Sequence, residues 1–180
     1  IAADSVRAIM QGYKTDQLYQ VYGMTESGPT GTVLYPRDQV AKAGSIGNCP
    51  LPGADLRVLK DDGKDAGCGE AGEIWLKADC MMQGYLHQPQ ATQEAFCNGW
   101  YKTGDIARMD EDGYMYIVDR NKDMIVTGGE NVYSKEVEDA LAAHPQVVEA
   151  AVVGKPDPEW GETVTAFIVP KVHDQAPDQD

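Results

Sequence analysis

At 180 residues, 42% apolar and 24% charged, the chain can build one compact domain or two small ones, and it is too apolar for disorder throughout. A formal charge of −14 leaves no basic stripe for nucleic acid and disfavours tight binding to anionic lipid surfaces. No apolar run reaches bilayer-spanning length, and Cys49, Cys68, Cys80 and Cys97 lack metal-site spacing, so reduced thiols in a cytoplasmic protein are expected.

Val6, Ile9 and Met10 recur at helical spacing, which predicts a helix within Ile1–Gln11. Val21-Tyr22 reads as a strand end entering a Gly/Thr/Ser/Pro-rich loop that runs through Thr32. From Gly44 to about Asp119 the pattern is β-rich. Leu56 and Val58 alternate with polar neighbours across Asp55–Lys60, and Asp61-Asp62-Gly63 turns the chain. Glu73–Ala78 and Tyr114–Val118 are further short strands, the second entered through an Asp112-Gly113 hairpin turn. Short strands between Gly and Asp turns favour a small antiparallel barrel or a curled sheet.

The character changes after Arg120. Ser134 is expected to cap a helix through Ala143, with Val137, Ala140 and Leu141 as its apolar stripe and Glu136 and Glu138 suited to its N-terminal dipole. Strands over Val147–Val153 and Thr163–Val169 follow, separated by a Pro-rich turn, and the polar, acidic tail Val172–Asp180 is expected to be loose. The predicted fold class is α+β and β-rich: a small distorted antiparallel β-barrel followed by a small α+β domain.

Three stretches carry chemistry. Tyr22-Gly23-Met24-Thr25-Glu26-Ser27-Gly28 offers a ring face for a base and a glycine that admits close backbone approach. It also offers a hydroxyl donor for phosphate and a hard carboxylate for Mg²⁺. Read alone, it is a polar turn after a strand. The second stretch, Gly99-Trp100-Tyr101-Lys102-Thr103-Gly104-Asp105, ends in a carboxylate suited to accept two ribose hydroxyls. Arg120 can reinforce it; alone, such residues form a surface ion pair of small consequence. The third, Thr127-Gly128-Gly129-Glu130-Asn131, is either a loop that lets a narrow ligand pass or a plain hairpin turn. His87, His144 and His173 show no partner spacing and receive no catalytic role.

In this order, and joined by Gly84, Tyr85, Pro89, Thr92 and Phe96, these motifs resemble the second half of an adenylate-forming enzyme, specifically an acyl-CoA synthetase of the fatty-acid–CoA ligase type. The resemblance implies an AMP-forming ligase that activates a carboxylic acid as acyl-AMP and passes it to coenzyme A. ATP, Mg²⁺ and coenzyme A are then the co-substrates and cofactors. It places Tyr22, Gly23, Met24, Thr25, Asp105, Ile117 and Arg120 at the nucleotide. Thr25 and Glu26 take catalytic roles, with Glu26 on the metal. Lys122 sits at the hinge of a rotating C-terminal domain, and Gly128, Gly129, Glu130 and Trp160 lie along coenzyme A.

The implied division is 1–43, the end of a large domain with its nucleotide loop; 44–120, the barrel; and 121–180, the mobile domain. Asp119-Arg120-Asn121-Lys122-Asp123 resembles the ligases rather than carrier-protein-loading domains, and Ser134 departs from the proline usual in relatives. The family's upstream phosphate loop and its Gly-Lys lysine near the C-terminus are not found, so the chain is expected to be a fragment that is inactive alone. A fatty acid is the expected substrate. The alternatives are an aromatic acid and a non-catalytic nucleotide-binding module. Homodimerisation or peripheral membrane contact of the complete enzyme stays open; neither a nucleic-acid partner nor a transmembrane segment is expected.

Overall fold

Apolar alternation and turn chemistry shape most of the chain, and a computed structural model describes residues 2–171. The predicted loose tail lies outside the described residues. The chain divides into two compact units, Ile1–Ile117 and Val118–Asp180.

The first unit opens with α1 (Ala3–Tyr13), which runs two residues past the predicted end at Gln11, with Val6 buried. β1 (Gln20–Gly23), β2 (Gly31–Leu34) and β3 (Cys49–Pro50) form a three-stranded antiparallel sheet. Tyr22 stands opposite Thr32 in this sheet, and Gly23 opposite Gly31. The loop between β1 and β2 tightens into one 3₁₀ turn over Thr25–Ser27.

The larger sheet holds β4 (Ala54–Leu59), β5 (Ala71–Ala78), β6 (Phe96–Cys97) and β7 (Trp100–Met109) in the order β4-β5-β7-β6. β8 (Met115–Arg120) also pairs with β7, and the sheet curls into a half-barrel, in accord with the predicted fold class. The short α2 (Pro89–Ala95) precedes β6. Along β5 the period of two puts Ile74 and Leu76, both fully buried, into a core with Ile46, Val58, Ala66, Ala107 and Met115. Burial of each of the larger of these side chains contributes about 1.5–3 kcal/mol. The Asp112-Gly113 turn joins β7 to β8 as predicted, with Asp110 Oδ1 accepting the N–H groups of Asp112 and Tyr114 at 3.0 and 2.9 Å. Lys42 Nζ braces it, 2.7 Å from Asp110 and 2.6 Å from Asp112.

The second unit carries β9 (Ile125–Thr127), β10 (Glu130–Val132), α3 (Ser134–Ala142), β11 (Val147–Asp157) and β12 (Gly161–Pro170). Its sheet order is β10-β9-β12-β11, antiparallel throughout. β11 and β12 outrun the predicted strands and shrink the Pro-rich turn to residues 158–160. Asp157 Oδ1 accepts the N–H groups of Glu159 and Trp160, both at 2.9 Å, and so closes that turn tightly. Those bonds hold the Asp157 carboxyl below its usual range.

Three expectations about α3 need correction. Ser134 is not the cap: Tyr133 holds that position but does not cap the helix with its side chain, and Ser134 is the first helical residue. The capping is done from a distance, because Asp119 accepts the Ser134 N–H at 2.5 Å and the Ser134 hydroxyl at 3.1 Å. Ala140 is exposed and does not extend the apolar stripe, whereas Glu138 is half-buried. Glu138 Oε1 accepts the Val152 N–H of β11 at 2.9 Å, so it serves the sheet rather than the helix dipole.

Candidate functional site

The β1–β2 loop owes its shape to Ser27, which is fully buried. Its Oγ accepts the Met24 N–H at 3.1 Å and lies 2.7 Å from the Thr30 carbonyl, to which it donates. The loop is also pinned to the segment after β5, where the Met82 N–H donates to the Glu26 carbonyl at 2.8 Å. This rigid knot leaves Thr25 exposed and Glu26 half-buried.

Across the unit, β7 delivers Asp105 through a bulge. Glu73 pairs with Ile106 and Trp75 with Lys102, so Thr103, Gly104 and Asp105 all stand opposite Ile74 alone. Gly104 takes φ of 76°, which an L side chain adopts only with strain. Bulges of this kind re-aim a side chain next to a functional site. Here the bulge sets Asp105, only 9% exposed, 2.7 Å from the Tyr22 hydroxyl that donates to its Oδ2. Burial first, and then the Asp105 carboxylate, push the Tyr22 phenol well above its usual range, so it stays a donor.

A second phenol holds the second carboxylate. Tyr85 donates to Glu26 Oε1 at 3.0 Å, and its oxygen lies 3.3 Å from that of Tyr101. Burial, then the Tyr85 hydroxyl, push the Tyr101 phenol up as well. The first unit thus assembles Tyr22, Gly23, Met24, Thr25, Glu26 and Asp105 around two phenol–carboxylate pairs. Ile117 packs at the edge of the same unit's core. Neither hydroxyl partnership was legible in the chain. The only signal was Gly84-Tyr85 in the linking motif, and nothing marked Glu73, which accepts the Gly104 N–H at 2.9 Å. For a metal, the donor set is one hard carboxylate from the loop. That fits Mg²⁺ carried by phosphate oxygens and water, which needs few protein ligands.

The remaining predicted residues belong to the second unit. Arg120 ends β8 and is exposed. Lys122 lies in the turn after it, where the Asp123 and Met124 N–H groups reach the Arg120 carbonyl. Gly128 and Gly129, with φ of 58° and 84°, form the two-residue β9–β10 hairpin that a positive-φ turn requires. They differ in surroundings. A Cβ on Gly128 would lie 2.9 Å from the Trp160 ring, whereas a Cβ on Gly129 would meet nothing within 4 Å. Trp160, 56% exposed, therefore lies over Gly128 while Gly129 faces open space; Glu130 begins β10 and is exposed.

The chain is similar to known proteins over most of its length. A family model described as AMP-binding enzyme matches residues 1–86, and one described as AMP-binding enzyme C-terminal domain matches residues 136–180. The long-chain-fatty-acid–CoA ligase FadD13 of Mycobacterium tuberculosis is 46% identical over 156 residues, covering 87% of this chain and 31% of the relative. The 2-succinylbenzoate–CoA ligase of Bacillus velezensis is 45% identical over 152 residues, covering 84% and 31%. Among solved structures, the o-succinylbenzoate CoA synthetase of Bacillus subtilis with its acyl-adenylate intermediate superposes with a TM-score of 0.80 at 36% identity. That match covers 98% of this chain and 34% of the other; the same synthetase with ATP and magnesium ion gives a TM-score of 0.76 at 36% identity, covering 90% and 33%. The chain spans about a third of the length of these relatives. Two family models that match in chain order, on either side of the bulged strand that presents Asp105, show that the chain belongs to the AMP-binding enzyme family, whose acyl-CoA synthetases it resembles over most of its length.

Proposed function

We propose that the protein carrying this chain is an AMP-forming acid–thiol ligase, which activates a carboxylic acid as acyl-AMP and transfers the acyl group to coenzyme A. The observation that supports it most is the buried Asp105, aimed by a bulge and bonded to Tyr22, in one unit with the Glu26 loop. In the first step the acid's oxygen attacks the α-phosphorus of ATP, and the bond to the β-phosphate breaks to release pyrophosphate. In the second, the thiol sulfur attacks the acyl carbon and AMP leaves. Tyr22, Gly23, Met24 and Ile117 shape the base and sugar site. Asp105 accepts the ribose hydroxyls, and Arg120 is proposed as a further ribose contact. Thr25 donates to phosphate, and Glu26 holds Mg²⁺, which offsets phosphate charge.

The domain division 1–43, 44–120 and 121–180 goes with this reading, and Lys122 is its hinge between the two half-reactions. The proposed compartment is the cytoplasm; among the described residues no helix is long and apolar enough to cross a membrane. A fatty acid is the preferred substrate, in keeping with the FadD13 relative. An aromatic acid is the second reading, favoured by the 2-succinylbenzoate relative of nearly equal identity.

In the full-length protein, pyrophosphate release is expected only when a carboxylic acid is added, and thioester only when coenzyme A follows. A panel of aliphatic and aromatic acids in a coupled pyrophosphate assay checks both. Release that is indifferent to the acid removes the ligase reading.

Gly128, Gly129, Glu130 and Trp160 are proposed to line the coenzyme A path. Because Gly129 sits at φ of 84°, Leu there adds both bulk and strain, so Asn, which tolerates this region, is the matched control. Gly129→Leu is expected to slow thioester formation about fivefold to 150-fold, from an overpacking cost of roughly 1–3 kcal/mol, with acyl-AMP formation retained. Gly129→Asn is expected to lie between it and the parent. Single-turnover assays separate the steps, and equal losses in both would make Gly129 merely structural.

A further inference from the structure

We propose that Glu73 is a positioning residue for Asp105: it fixes the β7 bulge that presents this carboxylate to the nucleotide sugar. The inference rests on the ribose-binding reading of Asp105 given above.

A bulge removes backbone donors from the ladder, and a buried donor without a partner is costly. In this bulge both displaced amides are met by side chains. The Asp105 N–H goes to Thr103 Oγ1 at 3.1 Å, while that hydroxyl donates to the Ile74 carbonyl at 2.7 Å. The Gly104 N–H goes to Glu73 Oε1 at 2.9 Å. The other oxygen of Glu73 accepts the Trp75 indole N–H at 2.8 Å. One carboxylate on β5 therefore bridges a side chain of its own strand and the backbone of the next.

That bridge spans the point where the register slips, between the pairs Glu73–Ile106 and Trp75–Lys102. Asp105, Ile106 and Ala107 are buried in succession, which the plain alternation of a strand does not provide. Ile106 and Ala107 fill apolar space, whereas Asp105 is held to Tyr22. Without the Glu73 anchor, the Gly104 N–H loses this partner, and the left-handed turn that aims the adjacent Asp105 is held less firmly. Glu73 lies on β5, in a different sheet from β1, and its carboxylate bonds go to Trp75 and Gly104, neither of them assigned to the nucleotide; it acts through Gly104.

The test compares ATP with 2′,3′-dideoxy-ATP in acid-dependent pyrophosphate release by the full-length protein. Glu73→Leu is expected to lower kcat/KM for ATP about tenfold, mainly through KM, as for loss of one hydrogen bond to a charged group. The dideoxy nucleotide, which lacks the hydroxyls Asp105 would hold, is expected to lose much less. Glu73→Gln can satisfy only one of the two donors and is expected to show an intermediate loss with the same sugar dependence, which keeps the test valid if the Leu variant fails to fold. Equal losses with both nucleotides would mark Glu73 as a fold residue and overturn the proposal. Asp105→Ala in parallel separates the two levels. If it too is insensitive to the sugar, the ribose reading of Asp105 falls and this proposal with it. If Asp105→Ala is sugar-selective and the Glu73 variants are not, only the role of Glu73 is lost.

Discussion

Asp105→Ala in the full-length protein is expected to cut acid-dependent pyrophosphate release by roughly thirtyfold to several-thousandfold, the equivalent of about 2–5 kcal/mol for one buried partner of a charged hydrogen-bonded pair. Two effects contribute and can be separated. The nucleotide loses its sugar acceptor, and the Tyr22 hydroxyl, now without Asp105 Oδ2 at 2.7 Å, is left buried without its partner. Asp105→Asn retains an oxygen for Tyr22 and much of the bulge's packing, but it offers the ribose one acceptor and one donor in place of two acceptors. Asn should therefore melt near the parent temperature while its KM for ATP still rises steeply. An Asn variant with parental KM would show that Asp105 serves the fold, through Tyr22, and not the nucleotide.

Asp119→Ala is the second large effect, and it falls on stability. This carboxylate is 5% exposed and gathers three donors: the Ser134 N–H, the Ser134 hydroxyl and the Arg120 N–H at 2.7 Å. It closes the start of α3 from β8, fifteen residues earlier in the chain. Loss of the cap, with buried donors left unmet, should destabilise the second unit by about 2–4 kcal/mol. Amide hydrogen exchange across α3 reads this directly, because protection there should collapse while that of β5 in the first unit stays. A change below about 0.5 kcal/mol, the range of ordinary surface substitutions, would mean that water replaces Asp119 and that the helix caps itself. Ser134→Ala, which removes only the hydroxyl bond, should cost a fraction of that.

These two aspartates also show what the chain discloses and what it withholds. Local patterns are readable: the period of two in β5, the Asp112-Gly113 turn and the helical spacing of α1 are each written in a few neighbouring residues. β7 was legible only as a motif, because Gly104 and the bulge break its alternation at the place where function is assigned. The chemistry of Tyr22, Glu26 and Asp105 could be listed from residue types, yet the bond between Tyr22 and Asp105 joins positions 83 residues apart, and no local pattern encodes it. The same holds for Tyr85 and Glu26, 59 apart. Ser134 misled for the converse reason. It has the right chemistry for a cap, but a buried carboxylate from another strand took the bond first.

β11 forms an edge of the second unit's described sheet, and an eleven-residue edge strand is a template for pairing with another copy of the chain wherever its backbone is not already met, as the Val152 N–H is by Glu138 of α3. Its register is broken between Val147 and Glu149 at one end, and Pro156, beside Lys155, removes a backbone donor near the other. What remains between them is a short window with Glu149 at its margin. The irregularities that shorten the regular part of this strand therefore act as guards against edge-to-edge aggregation, on a hairpin whose exposed Val153, Phe167 and Val169 would otherwise favour it.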